Sequence, residues 1–336
     1  MSDFSLLITD WYRLNYRNLP WRETKDPYLI WISEIILQQT RVDQGKNYYE
    51  KFKRHYPTVH DLAMASEQEV LRDWQGLGYY SRARNLHASA KEISTNMKGS
   101  FPVRYDDIIK LKGVGSYTAA AISSIAFDEK QAVVDGNVYR VLSRVFDIET
   151  PIDGTAGKKQ FQKLADELIL EHNPGEHNQA VMELGALICK PKAPECNTCP
   201  LNSKCLALSN KTIDQRPIKI KKVKTRERYF QFLIFNDGES TVIEKRDDKD
   251  IWRNMYQFPL IEKKEIDANK FGVKAKESAP VKHILSHQKI YGTFHHFDQM
   301  PQKLQDNWMV VKWSELQEYP IPRIIDKYLE SQFKND

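Results

Sequence analysis

The sequence predicts two architectures in one chain, a mostly α N-terminal region and a smaller α+β C-terminal domain. Three observations carry this expectation. Helical apolar spacing, punctuated by Gly and Pro, runs through residue 210. A short stretch from Lys211 to Arg228 then concentrates positive charge. From Tyr229 onward the pattern turns aromatic and β-branched. The expected boundaries are 1–210, a basic linker 211–228, and 229–336, and 336 residues suit two domains.

Asp26-Pro27 is a helix start, with a capping carboxylate followed by proline at the first helical position, and apolar residues continue through Leu37. Further helical patterns cover Ser66–Trp74, Arg82–Ile93, Tyr117–Ala126, Val138–Phe146, Lys158–Leu170 and Gln179–Cys189. Gly76, Gly78, Gly113, Gly115, Gly136, Gly154 and Pro174-Gly175 separate them. In the second domain, Tyr229–Phe235 reads as a strand, Asn236-Asp237-Gly238 as a turn, and Ser240–Lys245 as the next strand.

Hydrophobic residues make up 41% and charged residues 28%, enough to bury a core. No apolar run approaches the ~20 residues that span a bilayer. Met1-Ser2-Asp3-Phe4 does not open a signal peptide, so a cytoplasmic, nucleoid-associated protein without membrane partners is expected. The net charge of +5 is localised. Residues 1–210 are neutral, 211–228 carry eight basic and two acidic residues, and 229–336 net to −1. Such a stretch serves either as a solvated linker or as an attractor for a phosphate backbone.

All four cysteines, Cys189, Cys196, Cys199 and Cys205, fall in one C-x6-C-x2-C-x5-C run. A secreted disulfide scaffold would scatter them. Four thiolates this close can converge on one centre, and zinc and a [4Fe–4S] cluster both accept four sulfurs. The spacing resembles the cluster loop of iron–sulfur DNA glycosylases of the endonuclease III superfamily, and that resemblance implies [4Fe–4S].

Leu111-Lys112-Gly113-Val114-Gly115-Ser116-Tyr117 joins two helices through a tight turn. Glycine permits close backbone approach, and the following helix offers free N–H groups to an anion. This stretch resembles the helix-hairpin-helix phosphate clamp of that superfamily. About twenty residues later, Val134-Asp135-Gly136-Asn137 places a carboxylate at a helix start. As an N-cap it is stabilised in its ionised form by roughly 0.3–1 kcal/mol. A group that faces a developing cation needs that charge.

Glu34 sits in Ser33-Glu-Ile-Ile-Leu-Gln-Gln-Thr-Arg-Val42, and its same-face helical neighbours are Ile30, Trp31, Leu37 and Gln38. Three of these four are apolar. Desolvation raises a carboxyl pKa, so Glu34 is either an outward-facing glutamate or a neutral acid able to donate a proton near pH 7.

This segment closely resembles the general-acid segment of adenine DNA glycosylases of the MutY type. So do Leu19-Pro20-Trp21-Arg22, Gly76-Leu77-Gly78-Tyr79-Tyr80-Ser81-Arg82, Asn178-Gln179-Ala180 and Met182-Glu183-Leu184-Gly185. The resemblance covers the whole chain. It implies a helix-hairpin-helix glycosylase with an iron–sulfur module and a Nudix-like C-terminal domain. The expected partner is double-stranded DNA with adenine opposite 8-oxoguanine or guanine, bound by a monomer. By resemblance, Glu34 is the general acid, Asp135 stabilises the oxocarbenium ion, and Tyr117 and Asn137 assist. Arg22, beside Trp21, reads the adenine edge with Gln179, or with Glu183 in its place. Gln39, Thr40, Leu77 and Tyr79 surround the 8-oxoguanine strand, with Gln39 and Tyr79 as wedges. Gly113, Val114 and Gly115 hold phosphate, and Cys189, Cys196, Cys199 and Cys205 hold the cluster.

Tyr117 stands where enzymes that also cut the backbone carry a Schiff-base lysine, so base removal without an efficient lyase step is expected. His283-Ile-Leu-Ser-His287 resembles the lesion-reading segment, with Ser286 and His287 as contacts. Leu285 replaces the usual aromatic there, and Lys112 replaces a common proline in the hairpin. The chain lacks a glutamate-rich Nudix box, so the C-terminal domain is expected to read the lesion rather than hydrolyse pyrophosphates. Two rivals remain at this level: a glycosylase-lyase for oxidised pyrimidines, and a non-catalytic iron–sulfur module.

Overall fold

The computed structural model describes residues 2–220, 225–246, 250–272 and 274–333. Of the basic stretch, Lys221, Lys222 and Lys224 lie outside them. The chain forms two compact units. Met1–Ala63 joins Ala88–Lys221, and Met64–His87 joins Lys222–Asp336.

The first unit is helical. Its main elements are α1 (Ser2–Asn15), α2 (Pro27–Leu37), α3 (Ser116–Phe127), α4 (Gly136–Val145) and α5 (Pro174–Leu187). Asp26 caps α2 through a 2.9 Å bond from the Tyr28 amide, with Pro27 at the first turn. Almost all of α2 is buried, including Ile30, Trp31, Ile32, Ile35 and Ile36. It packs against α3 and against the helix Val42–His55. A helix apolar all round must sit in the middle of its domain. α5 packs against α1, α3 and α4. Gly185 lets α4 and α5 approach closely, since a Cβ there would meet the Asn137 Cβ at 2.6 Å. The hairpin turn is present as read. Gly113 has φ +82°, Val114 donates to the Leu111 carbonyl at 3.0 Å, and Val114 turns its side chain inward.

The second unit holds two sheets. β1 (Arg226–Phe235), β2 (Ser240–Lys245), β3 (Tyr256–Gln257), β4 (Leu260–Glu262), β5 (Lys274–Glu277), β6 (Val281–Ile284), β7 (Gln288–Phe297) and β8 (Trp308–Lys312) follow in order. One sheet runs β4-β1-β7-β5 with β6 also on β7, and the other runs β3-β2-β8. The Asn236-Asp237-Gly238 turn therefore hands the chain from one sheet to the other. β1 pairs in parallel with β7, so Phe232 stacks on Phe294 and Phe235 on Phe297, at 4.9 and 5.0 Å. A last helix, Arg323–Phe333, lays Tyr328 on Phe294 at 3.7 Å.

Residues 64–87 group with this unit, not with the helices on either side of them in sequence. Gln75 accepts from the Ile321 amide at 3.2 Å, and Arg84 donates to the Arg253 carbonyl at 2.9 Å. Helical periodicity reports that a helix exists; it carries no information about which core its apolar face joins. Two arginines of the basic stretch are buried, while Lys211, Lys219 and Arg226 are exposed. Arg216 is buried against Asp147 and Glu149, and Arg228 is buried against Asp250 and Glu262. Paired and desolvated in this way, these two arginines contribute little positive surface. Among the described residues, no helix is long and apolar enough to cross a membrane.

Candidate active site

A cavity of about 250 Å³ opens among the helices of the first unit. α2 supplies Glu34, α3 supplies Tyr117, the start of α4 supplies Asp135 and Asn137, and α5 supplies Gln179, Met182 and Glu183. Trp21, Arg22 and Thr40 complete the wall among the residues singled out from sequence.

Glu34 is 8% exposed, on a helix whose other residues are mostly apolar and buried. Burial pushes its carboxyl up to about 7, and the nearby Asp135 pushes the same way. Tyr117 and Arg22 oppose the shift without cancelling it. Glu34 therefore exists as an acid near neutral pH.

Asp135 caps α4. Its carboxylate accepts the amides of Asn137 and Val138 at 2.8 Å each and the Asn137 side-chain amide at 2.9 Å. Burial pushes this carboxyl above its ordinary value, against those bonds. The expectation that a helix start alone keeps it low is thus offset by desolvation. Of the two carboxyls, Asp135 has three N–H donors holding its anion, whereas Glu34 has one hydroxyl. Asn137 is held in turn by Arg140 at 2.8 Å, and Arg140 also bonds the carbonyls of Gly185 and Cys189 at 2.7 and 2.6 Å.

Glu183 lines the same cavity, buried and ionised. Arg17 reaches it through its amide, Nε and Nη2, and Arg22 through Nη1 and Nη2, all within 2.6–2.9 Å. Burial alone would raise this carboxyl, but the two guanidinium groups bring it down to about 2. Gln179 also lines the cavity, yet its oxygen accepts the Tyr12 hydroxyl at 2.6 Å. Arg22 thus pairs with Glu183. Sequence reasoning missed Arg17, Met182 and Arg140. The one available signal was for Arg140, an arginine inside the apolar run Val138–Val145.

The remaining sequence candidates fall elsewhere. Gln39 is exposed, just past α2, with φ +58°. In the second unit, Tyr79, Leu285, Ser286 and His287 line a different cavity of about 300 Å³ with Trp252 and Asp250. The Tyr79 hydroxyl bonds the Ser286 hydroxyl there. Leu77 is buried core of that unit. Gly113 and Gly115 are exposed at the hairpin tip, and no side chain caps the first turn of α3, so its amides remain available.

The four cysteines line one cavity with Val141, Val145, Leu184, Leu201 and Ile213. Arg144 reaches the Cys189 sulfur at 3.5 Å and the carbonyls of Lys190 and Pro191. Burial pushes Cys199 up to about 11 and raises Cys196 and Cys205, so four thiolates here require a cationic centre. Among the described residues, no three ligands converge tightly enough for a single metal ion. Four thiols on one cavity are a donor set that suits zinc or an iron–sulfur centre.

Residues 32–169 match the HhH-GPD superfamily of base excision DNA repair proteins, and residues 230–331 match the NUDIX domain. An adenine DNA glycosylase of Buchnera aphidicola from Schizaphis graminum is 40% identical over 303 residues, 88% of this chain and 84% of that protein. The chain belongs to the adenine DNA glycosylase family. The glycosylase also resembles the solved structure of a thermostable thymine-DNA glycosylase, with TM-score 0.57 and 31% identity over 62% of this chain and 95% of that one. A trapped endonuclease III–DNA covalent intermediate shares the fold, with TM-score 0.54 and 22% identity over 62% of this chain and 95% of that one. The glycosylase is a base excision repair enzyme, and its cavity is where a buried acid faces a capped carboxylate.

Proposed function

We propose that this enzyme excises adenine paired with 8-oxoguanine or with guanine in duplex DNA, as a monofunctional glycosylase. The observation that carries this reading is the convergence of Glu34, Asp135 and Tyr117 on one cavity, with the Glu34 carboxyl pushed up to about 7. The adenine nucleotide swings out of the duplex into the cavity. The ionised Glu183, held by Arg17 and Arg22, accepts a hydrogen bond from the amino edge of the base, and Arg22 donates to its ring. Glu34 protonates a ring nitrogen and makes the base a neutral leaving group. The glycosidic bond breaks with oxocarbenium character, and Asp135 stabilises the cation. Glu34, now a carboxylate, takes a proton from the attacking water. Asn137, tied to Arg140, holds Asp135 in place. No lysine stands at Tyr117 to form a Schiff base, so strand cleavage is not coupled to excision.

A [4Fe–4S] cluster on Cys189, Cys196, Cys199 and Cys205 would brace the loop that carries Lys190, Lys192 and Lys204. Gly113, Val114, Gly115 and the start of α3 grip a phosphate. Gln39, Thr40, Leu77 and Tyr79 meet the lesion strand, with Ser286 and His287 reading 8-oxoguanine. In this reading catalysis belongs to residues 1–210 and lesion reading to 229–336, in a monomer working on the cytoplasmic nucleoid. Incubation with a duplex carrying one adenine opposite 8-oxoguanine should give strand breaks at that adenine only after alkali. Absence of alkali-labile sites overturns the proposal.

A further inference from the structure

The Tyr117 hydroxyl has two neighbours. It shares the cavity with Glu34, whose carboxyl it holds down against burial, and it lies 3.3 Å from the Met182 sulfur, to which it donates. Met182 sits on α5 next to Glu183 and lines the reaction cavity. We propose that Met182 is a positioning residue that lets the Tyr117 hydroxyl serve Glu34 in both of its protonation states. This rests on the reading of Glu34 as the proton donor.

A phenol has one proton to give and an oxygen that accepts. When Glu34 is an acid, it donates its proton to the Tyr117 oxygen, and the phenol proton needs another acceptor. The Met182 thioether supplies one. When Glu34 has protonated the departing base, it is a carboxylate, and the phenol proton swings to it by rotation about the C–O bond. No covalent bond is made or broken in that swing. The sulfur is then left without a donor, which costs little because a thioether is a weak acceptor. A carboxylate at this position would hold the phenol proton away from Glu34, and an aliphatic side chain would leave it unpaired. Sulfur is weak enough to release the proton and polar enough to hold it. The other groups acting on Glu34 are Asp135 and Arg22.

The consequence has a definite sign. Met182→Leu keeps the bulk and removes the acceptor. The acid form of Glu34 loses support and the carboxylate form does not, so Glu34 gives up its proton at lower pH. Single-turnover excision of adenine opposite 8-oxoguanine is measured across the pH range for both proteins, with duplex affinity as the control for folding. The alkaline limb of Met182→Leu should move down by about 0.5 on the pH scale, an about threefold slower rate beyond the limb, with the acid plateau unchanged. An unmoved limb, or a uniform drop at all pH values, overturns the inference, because either outcome describes packing alone. If the wild-type protein fails to excise at any pH, the parent reading fails instead. If the variant does not fold, the wild-type enzyme labelled with ¹³C at the methionine methyls gives the same information. The Met182 signal should titrate together with the excision rate and stop titrating in Glu34→Gln. A signal indifferent to pH refutes the proposal.

Discussion

One cavity carries the same side chain in two opposite states. Glu34, on α2, and Glu183, on α5, are both buried. Glu34 has no bonded cation, and burial lifts it to about 7. Glu183 receives five hydrogen bonds from Arg17 and Arg22 and falls to about 2. Depth of burial therefore does not set the charge of a carboxyl; the partners that share its pocket do. The cavity thus holds a carboxyl that keeps its proton and a carboxylate fixed as an anion, the pairing that the proposed excision of adenine uses.

The largest effect should come from breaking the donor. Glu34→Gln cannot protonate the leaving base, and single-turnover excision should fall roughly 1,000-fold. Binding of the mispaired duplex should stay within about tenfold, a change under ~1.4 kcal/mol. Gel-shift titration beside the excision assay checks both, and an equal loss of binding and excision would assign Glu34 a structural role.

The fixed anion should respond chiefly through stability. Glu183→Gln leaves Arg17 and Arg22 without their counter-charge, and breaking a buried pair in this way costs about 3 kcal/mol. Urea unfolding at neutral pH measures the cost. Ionised Glu183 stabilises the fold above its ordinary pKa, and that contribution is lost as pH falls toward about 2. The difference between Glu183→Gln and wild type should accordingly shrink in acid.

The sharpest form of the comparison is a smaller effect of reversed sign. The pKa of Glu34 is raised on folding, so its contribution to stability is complete below its ordinary 4.5 and is lost as pH rises through about 7. Glu34→Gln, which never charges, should match wild type near pH 4 and be more stable by on the order of 2 kcal/mol above pH 8. Thermal melts across that range would show the two glutamates diverging in opposite directions. A Glu34→Gln variant no more stable than wild type at high pH would mean that water reaches the carboxyl.

Much of this was legible in the residues. Asp26-Pro27 announced α2, and the apolar neighbours of Glu34 left its burial as one of two readings that only the structure decided. Asp135 could be read as a cap because its bonds are local, to amides two and three positions away. The cysteine run could be read because its four thiols are close in sequence. The grip of Arg17 on Glu183 could not be read, because the two are 166 positions apart and a lone arginine in a loop has no pattern. The membership of residues 64–87 in the second unit was equally silent, since their periodicity is that of any half-buried helix.

The sequence by itself determined which segments are helices and strands, which carboxylate caps α4 and which thiols gather in one loop. Each of these follows from interactions a few residues long. Only the tertiary structure decided which glutamate keeps its proton and which is locked as an anion. Those states depend on desolvation by helices distant in the chain and on guanidinium groups carried there by folding, and no local spacing encodes either.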